Sequence, residues 1–340
     1  MSSNLINEID IVKASTSKIS SVDFENLTFG NVFTDHMLIC DFKEGAWQKP
    51  IIKPYEPFMI DPSAKVFHYG QAIFEGMKAY KDGSDEVWMF RPDENFKRFN
   101  HSAKRLAMPE VTEEIFIGGL KAILDLEREW VKKGKGNTLY IRPFMIATEQ
   151  RLGVKVSDKY LFMIVSSPVG PYYAKPLNMK IETEYVRAAE GGTGYAKCGG
   201  NYGASFLPTQ LARQQGFDQV LWTDAKEHKY LDEAGTMNVM FVIDGVLATP
   251  PLSTSILDGV TRDSILTLAP TMGIKAEQRG HRRDHPRSDR RTGLRAIGDL
   301  VLERPFDGAF AGQVNIDQLV LRTAFSHLAL PFYRPHPKCA

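Results

Sequence analysis

Cysteine is scarce: Cys40, Cys198 and Cys339 are the only three in 340 residues. Odd in number and far apart, they suggest neither a disulfide framework nor a paired-cysteine metal site, and a reducing cytoplasm is the expected compartment. Long apolar runs are missing too. No stretch reaches the ~18 residues of a spanning helix, and Met1-Ser2-Ser3-Asn4 offers neither the basic nor the apolar region of a leader, so no membrane role is expected. Nor is there an excess of charge. A formal net charge of +1 creates no global field for nucleic acid or anionic lipid. No repeat of fixed period is found, and no metal-ligand spacing.

What is present is the balance of an ordinary globular protein, 43% hydrophobic, 11% aromatic and 24% charged. A chain of 340 residues exceeds the ~250 to 300 residues at which single cores stop growing, so two domains are expected. Strand patterns fall at 36–42, at 64–69 running on to 80, and at 86–90. A helix should open at Arg91-Pro92-Asp93, with Asp93 available as cap and Phe96, Phe99, Ala103 and Leu106 on one face. A longer helix should run from Thr112 to Gly134, followed by strands at 138–143 and 160–165. The whole reads as α+β: a small N-terminal domain over 1–167, a linker rich in proline and glycine over 168–178, and a larger domain over 179–340. Beyond the linker, strands are expected at 179–184, 219–222 and 239–243, and helices at 204–215 and 263–272. Asp244-Gly245 is a hairpin signal.

The most unusual stretch is Gly191-Gly192-Thr193-Gly194-Tyr195-Ala196-Lys197-Cys198-Gly199-Gly200-Asn201-Tyr202-Gly203. Its glycines clear side chains from a backbone that must turn tightly or approach something closely. Taken alone, Lys197 reads first as a solvated loop charge. An amine held near an aromatic hydroxyl such as Tyr202 is also what attack on a carbonyl requires, because the lysine must shed its proton near neutral pH.

Lys197-Cys198-Gly199-Gly200-Asn201-Tyr202, Leu231-Asp232-Glu233-Ala234-Gly235-Thr236-Met237-Asn238 and Leu257-Asp258-Gly259-Val260-Thr261-Arg262 together resemble the branched-chain amino acid aminotransferases, fold-type IV pyridoxal-phosphate enzymes. His68-Tyr69-Gly70-Gln71, Phe74-Glu75-Gly76-Met77-Lys78-Ala79-Tyr80, Phe90-Arg91-Pro92 and Tyr140-Ile141-Arg142-Pro143 match the same family in the same order. The resemblance covers residues 25 to 279. It implies a two-domain fold with pyridoxal 5′-phosphate in the interdomain cleft, amino-acid and 2-oxo-acid substrates, and a homodimer in which the Tyr69 loop reaches the neighbour's pocket. Carried over by residue, it makes Lys197 the Schiff-base lysine, Glu233 the partner of the pyridine nitrogen and Tyr202 the partner of the phenolic oxygen. Arg98 and the amides of Val260 and Thr261 become phosphate contacts, and Thr236 either a further one or a support for them. Tyr69, Phe74, Tyr140 and Tyr172 become an aromatic substrate wall. Arg142 is either a partner for the second substrate's carboxylate or structural. D-amino acid aminotransferases and aminodeoxychorismate lyases share the fold and are the alternative readings.

The resemblance stops after residue 279. Gly280-His281-Arg282-Arg283-Asp284-His285-Pro286-Arg287 begins a tract with no apolar periodicity, and a Gly-Thr-Ala turn of the family, expected to help bind phosphate and substrate carboxylate, is missing. Read one base later, the codons for 280–285 can encode Val-Ile-Asp-Glu-Ile-Ile, which restores the family's segment. A frameshift near Arg279, leaving residues 280–340 as a foreign tail and the product impaired or inactive, is therefore the expectation.

Overall fold

A computed structural model describes residues 9–134, 136–170 and 177–282. Tyr172 and most of the expected foreign tail lie outside these residues. The described chain forms two compact units, one of 9–170 with Ala196–Gly199, the other of 177–195 and 200–282. Lys197 thus packs with the N-terminal unit although the sequence places it far beyond the linker.

The first unit is built on a nine-stranded sheet. Its centre is the antiparallel pair Thr138–Ala147 and Tyr160–Val169. His36–Lys43 extends it on one side and Ile51–Pro54 lies beyond. Ala72–Phe74 and Met77–Lys81 both pair with Thr138–Ala147 on the other side, and Val87–Met89 closes that edge. The period of two in Thr138–Ala147 does the sorting. Leu139, Ile141, Met145 and Ala147 face a core shared with Phe99, Phe116, Leu120 and Phe162, each large side chain contributing about 2 kcal/mol by burial. Tyr140 and Arg142 are thereby set on the opposite face, half-buried.

Several sequence expectations are revised here. Residues 65–69 form a helix, Lys65–Tyr69, rather than a strand. Lys65 is fully buried and donates from Nζ to the carbonyls of Gly153 and Lys155, a non-local fastening that period counting cannot see. Gly70, at φ 64°, ends the helix in the left-handed conformation that glycine tolerates. The helix Pro92–Arg105 forms as expected, but no side chain caps it, and Arg91 precedes it at φ 46°. The run expected from Thr112 to Gly134 breaks up into π, α and 3-10 turns ending at Trp130.

The second unit contains a four-stranded sheet, Met179–Ile181, Gln219–Thr223, Leu231–Ala234 and Met237–Asn238. A three-stranded sheet of Phe241–Ile243, Val246–Thr249 and Ala276–Gln278 completes its β structure. Asp244 and Gly245 both have positive φ, as the expected hairpin turn requires. The helix expected from residue 204 begins earlier, at Gly199, and runs to Gln214. Its first turn is fastened by Asn201, which donates to the Thr193 carbonyl and accepts from the Thr193 hydroxyl. That fastening offsets the conformational entropy lost at the two glycines. Val260–Leu268 is the last α-helix of the described residues, starting three residues ahead of expectation. Of the tract from residue 280, Gly280 and Arg282 are exposed, while Arg282 bridges to Tyr230 and His281 is buried against the Phe241 ring.

Candidate active site

In the first unit Lys197 is fixed through its backbone. Its N–H donates to Ser102 Oγ at 2.9 Å, its carbonyl accepts from Phe74 N–H at 3.0 Å, and Cys198 bridges to Ile73. The segment therefore lies along the strand Ala72–Phe74 as a short addition to it. Its side-chain nitrogen sits 4.8 Å from the centre of the Phe74 ring, a cation–π placement against an apolar wall.

One residue after Phe74, the carboxylate of Glu75 is fully buried. Arg98 grips it through Nε to Oε1 at 2.7 Å and Nη2 to Oε2 at 2.9 Å, while Asn95 donates to Oε2 at 2.8 Å. Burial alone would raise the Glu75 pKa; Arg98, the nearby charge of Lys197 and Asn95 outweigh it and hold the carboxyl below its usual range. Arg98 and Lys197, distant in sequence, thus share one buried counter-charge.

Arg142 stacks over Phe74 at 4.5 Å and donates to the Tyr140 hydroxyl from Nη2 at 2.8 Å. A Cβ at Gly76 would come within 2.3 Å of that hydroxyl, so only glycine lets strand and ring approach. Phe74, Tyr140, Arg142, Arg98 and Lys197, all singled out from sequence, are thereby gathered in one unit. Tyr69 is placed differently: its hydroxyl donates to the Leu152 carbonyl and its ring is 40% exposed.

In the second unit Glu233 is 2% exposed and accepts from donors of three separate segments. Arg187 Nε lies 2.9 Å from Oε2, and Leu257 N–H and Asn238 Nδ2 donate to Oε1 at 2.6 and 3.2 Å. Arg187 is itself anchored on the carbonyls of Ser255 and Gly194. Beside it Asp232 is pushed up to about 6, by burial and then by the charge of Asp224, with Arg187 opposing. Thr236 stands exposed in the tight turn Gly235-Thr236 between paired strands. Val260 and Thr261 open a helix whose start has no side-chain cap, the arrangement in which backbone donors meet an anion. Tyr202 lies half-buried in the first turn of Gly199–Gln214.

Glu75, Asn95 and Ser102 in the first unit and Arg187 in the second were not singled out from the sequence. Each acts across a long sequence separation, and the only local signal was that Glu75 lies inside a matched motif.

A family profile, amino-transferase class IV, matches residues 72–284. The chain belongs to the class IV aminotransferases. The curated branched-chain-amino-acid transaminase 1 of Bacillus subtilis (strain 168) is 52% identical to this aminotransferase over 261 residues, 75% of this chain and 73% of the relative. Among solved structures, the branched-chain amino acid aminotransferase of Escherichia coli superposes with a TM-score of 0.62 at 26% identity, covering 74% of this chain and 79% of that one. The branched-chain aminotransferase of the thermophilic archaeon Thermoproteus uzoniensis, solved with norvaline, gives 0.68 at 21% identity, covering 88% of this chain and 100% of that one, a likeness of fold. The α+β architecture is accordingly that of the fold-type IV aminotransferases. Among the described residues no helix is long and apolar enough to cross a membrane, and no group of His, Cys, Asp and Glu is set to hold a metal ion.

Proposed function

We propose that this protein exchanges the amino group between leucine, isoleucine or valine and 2-oxoglutarate, with pyridoxal 5′-phosphate as its cofactor. The observation that carries the reading is Lys197, held by Ser102 and Phe74 in a chain whose 52% identical relative bears the branched-chain name. That relationship speaks against the D-amino acid and aminodeoxychorismate readings.

Each unit carries groups of the kind the cofactor asks for: in the first an amine on an aromatic wall and an arginine, in the second a buried carboxylate and a helix start without a side-chain cap. When bound, the cofactor supplies a ring that accepts the electron pair left on the substrate carbon. The roles of the protein's own groups follow from their chemistry. Lys197 Nζ takes and returns the proton at the substrate carbon. Glu233, aimed by Arg187, is the partner for a protonated pyridine nitrogen, and Tyr202 for the phenolic oxygen. Arg98, Thr236 and the amides of Val260 and Thr261 hold the phosphate. Phe74, Tyr140, Tyr69 and Tyr172 offer apolar area to a branched side chain, with Arg142 for a carboxylate. Apolar side chains exposed in the first unit, Phe58, Met59, Phe67, Leu152 and Val154 among them, support a homodimer, and two buried free cysteines suit a reducing cytoplasm.

Mixing the purified protein with L-leucine and following cofactor absorbance tests the reading. Conversion with L-leucine but not D-alanine, lost in Lys197→Ala while the circular dichroism is unchanged, is the expected result. Conversion by Lys197→Ala, or preference for D-alanine, would overturn it.

A further inference from the structure

We propose that Asn238 is a positioning residue of the cofactor site: its side-chain amide ties the carboxylate that meets the ring nitrogen to the loop leading into the phosphate-binding helix start, and so keeps these two contacts in register. The inference rests on the cofactor reading above and deepens it.

Asn238 faces Glu233 directly across the hairpin of Leu231–Ala234 and Met237–Asn238. Its Nδ2 donates to Glu233 Oε1 at 3.2 Å and to the Leu257 carbonyl at 2.8 Å. Both partners are acceptors, so the amide has one orientation and both of its N–H groups are used. Leu257 is thereby held at each of its backbone polar groups, because its own N–H donates to Glu233 Oε1 at 2.6 Å. A single hydrogen bond would let this peptide pivot; a second from another direction stops it. Two residues on, Gly259 ends the loop and immediately precedes the helix Val260–Leu268. A Cβ at Gly259 would overlap Asn238 Oδ1, so the asparagine also sets how closely the helix start approaches the hairpin. Asn238, Glu233 and the 257–261 segment all belong to the second unit. The cofactor's ring nitrogen and phosphate are joined by one small ring and a methylene, so a protein that uses both must hold the two contacts at a matching separation. Asn238 is the crosslink that holds it: it acts through Glu233 and Gly259, as an outer partner acts through a metal-binding histidine.

Purified full-length protein, stripped of cofactor, is titrated with pyridoxal 5′-phosphate, with pyridoxal, and with the deaza analogue of pyridoxal 5′-phosphate, in which C–H replaces the ring nitrogen. Binding is read from absorbance. Each analogue makes only one of the two contacts and can shift to meet it, whereas the full cofactor must meet both at once. In Asn238→Ala the preference for pyridoxal 5′-phosphate over each analogue should therefore fall by about tenfold, with binding of the analogues themselves unchanged within about twofold. Gly259→Ala presses on Asn238 from the other side. It should give the same paired loss, and it carries the test if Asn238→Ala does not fold. Equal losses for all three ligands, or unchanged preferences, would show that Asn238 serves the fold alone and would overturn the proposal. Loss of the preference over the deaza analogue alone would also overturn it, since Asn238 would then act on the carboxylate and not on the register. Wild-type protein that binds none of the three would instead overturn the cofactor reading, and this proposal with it.

Discussion

Glu233 Oε2 and Arg187 Nε lie 2.9 Å apart, and both side chains are withdrawn from solvent. Removing one member strands the other's charge. Arg187→Met should therefore lower the unfolding free energy by about 3 kcal/mol in urea titration, and Arg187→Met with Glu233→Gln should recover part of it. A double variant no more stable than the single one would mean that the pair is not coupled.

Glu233→Gln alone separates binding from chemistry. An amide still accepts from Leu257 N–H, but it does not stabilise a protonated pyridine as a carboxylate does. Cofactor should be retained while the rate of half-transamination with L-leucine drops by about a hundredfold or more. Equal single-turnover rates would remove Glu233 from the reaction.

The approach of Gly76 to Tyr140 predicts a suppressible defect. Gly76→Ala places a methyl 2.3 Å from the Tyr140 hydroxyl, an overpacking that costs about 1–3 kcal/mol. Tyr140→Phe in the same chain removes the oxygen in conflict and should restore about half of the lost stability by thermal denaturation. Additive losses would contradict the geometry.

Asp232 gives a pH dependence of definite sign. The folded protein keeps its proton up to about 6 and the unfolded chain only to 3.8, so between these values the native state binds more protons and stability falls as pH rises. Replacing Asp232 by Asn should abolish that part of the fall, leaving the variant about 1 kcal/mol more stable near neutrality once residual solvent screening is allowed for. Urea midpoints from about pH 3.5 to 7 for both proteins would check it, and parallel curves would refute it.

Local patterns were readable in the sequence where one element decides its own environment. The pattern at 138–143 marked a strand, which the structure carries on to Ala147; Asp244-Gly245 marked its turn; the apolar spacing of Phe96, Phe99 and Ala103 marked the helix Pro92–Arg105. What escaped was decided at a distance. Lys65 reads as a strand residue until the carbonyls of Gly153 and Lys155 are brought to it. Likewise Glu75 and Arg187 carry no local mark, because their partners come from other elements.

The tract after Arg279 yields a separate prediction. Phe206 is 70% exposed, and Leu207, Leu252 and Met272 are exposed with it, apolar area of the kind that invites association. Protein made from a gene with the frame restored after residue 279 should be more soluble and more active with L-leucine than the 340-residue chain as written. Equal solubility and turnover, or a resequenced gene with no missing or extra base, would establish the present C-terminus as genuine.

Because Lys65 takes its counter-charge from Glu149 at 3.5 Å and its two hydrogen bonds from main-chain carbonyls, it reads the path of the 150–156 segment and not that segment's side chains. Every amino acid supplies a carbonyl, so substitutions at Leu152, Val154 or Val156 leave the buried ammonium content, whereas deleting a single residue would slide an acceptor away and leave a buried N–H donor unmet. Among related chains, this stretch should vary freely in letters and hardly at all in number.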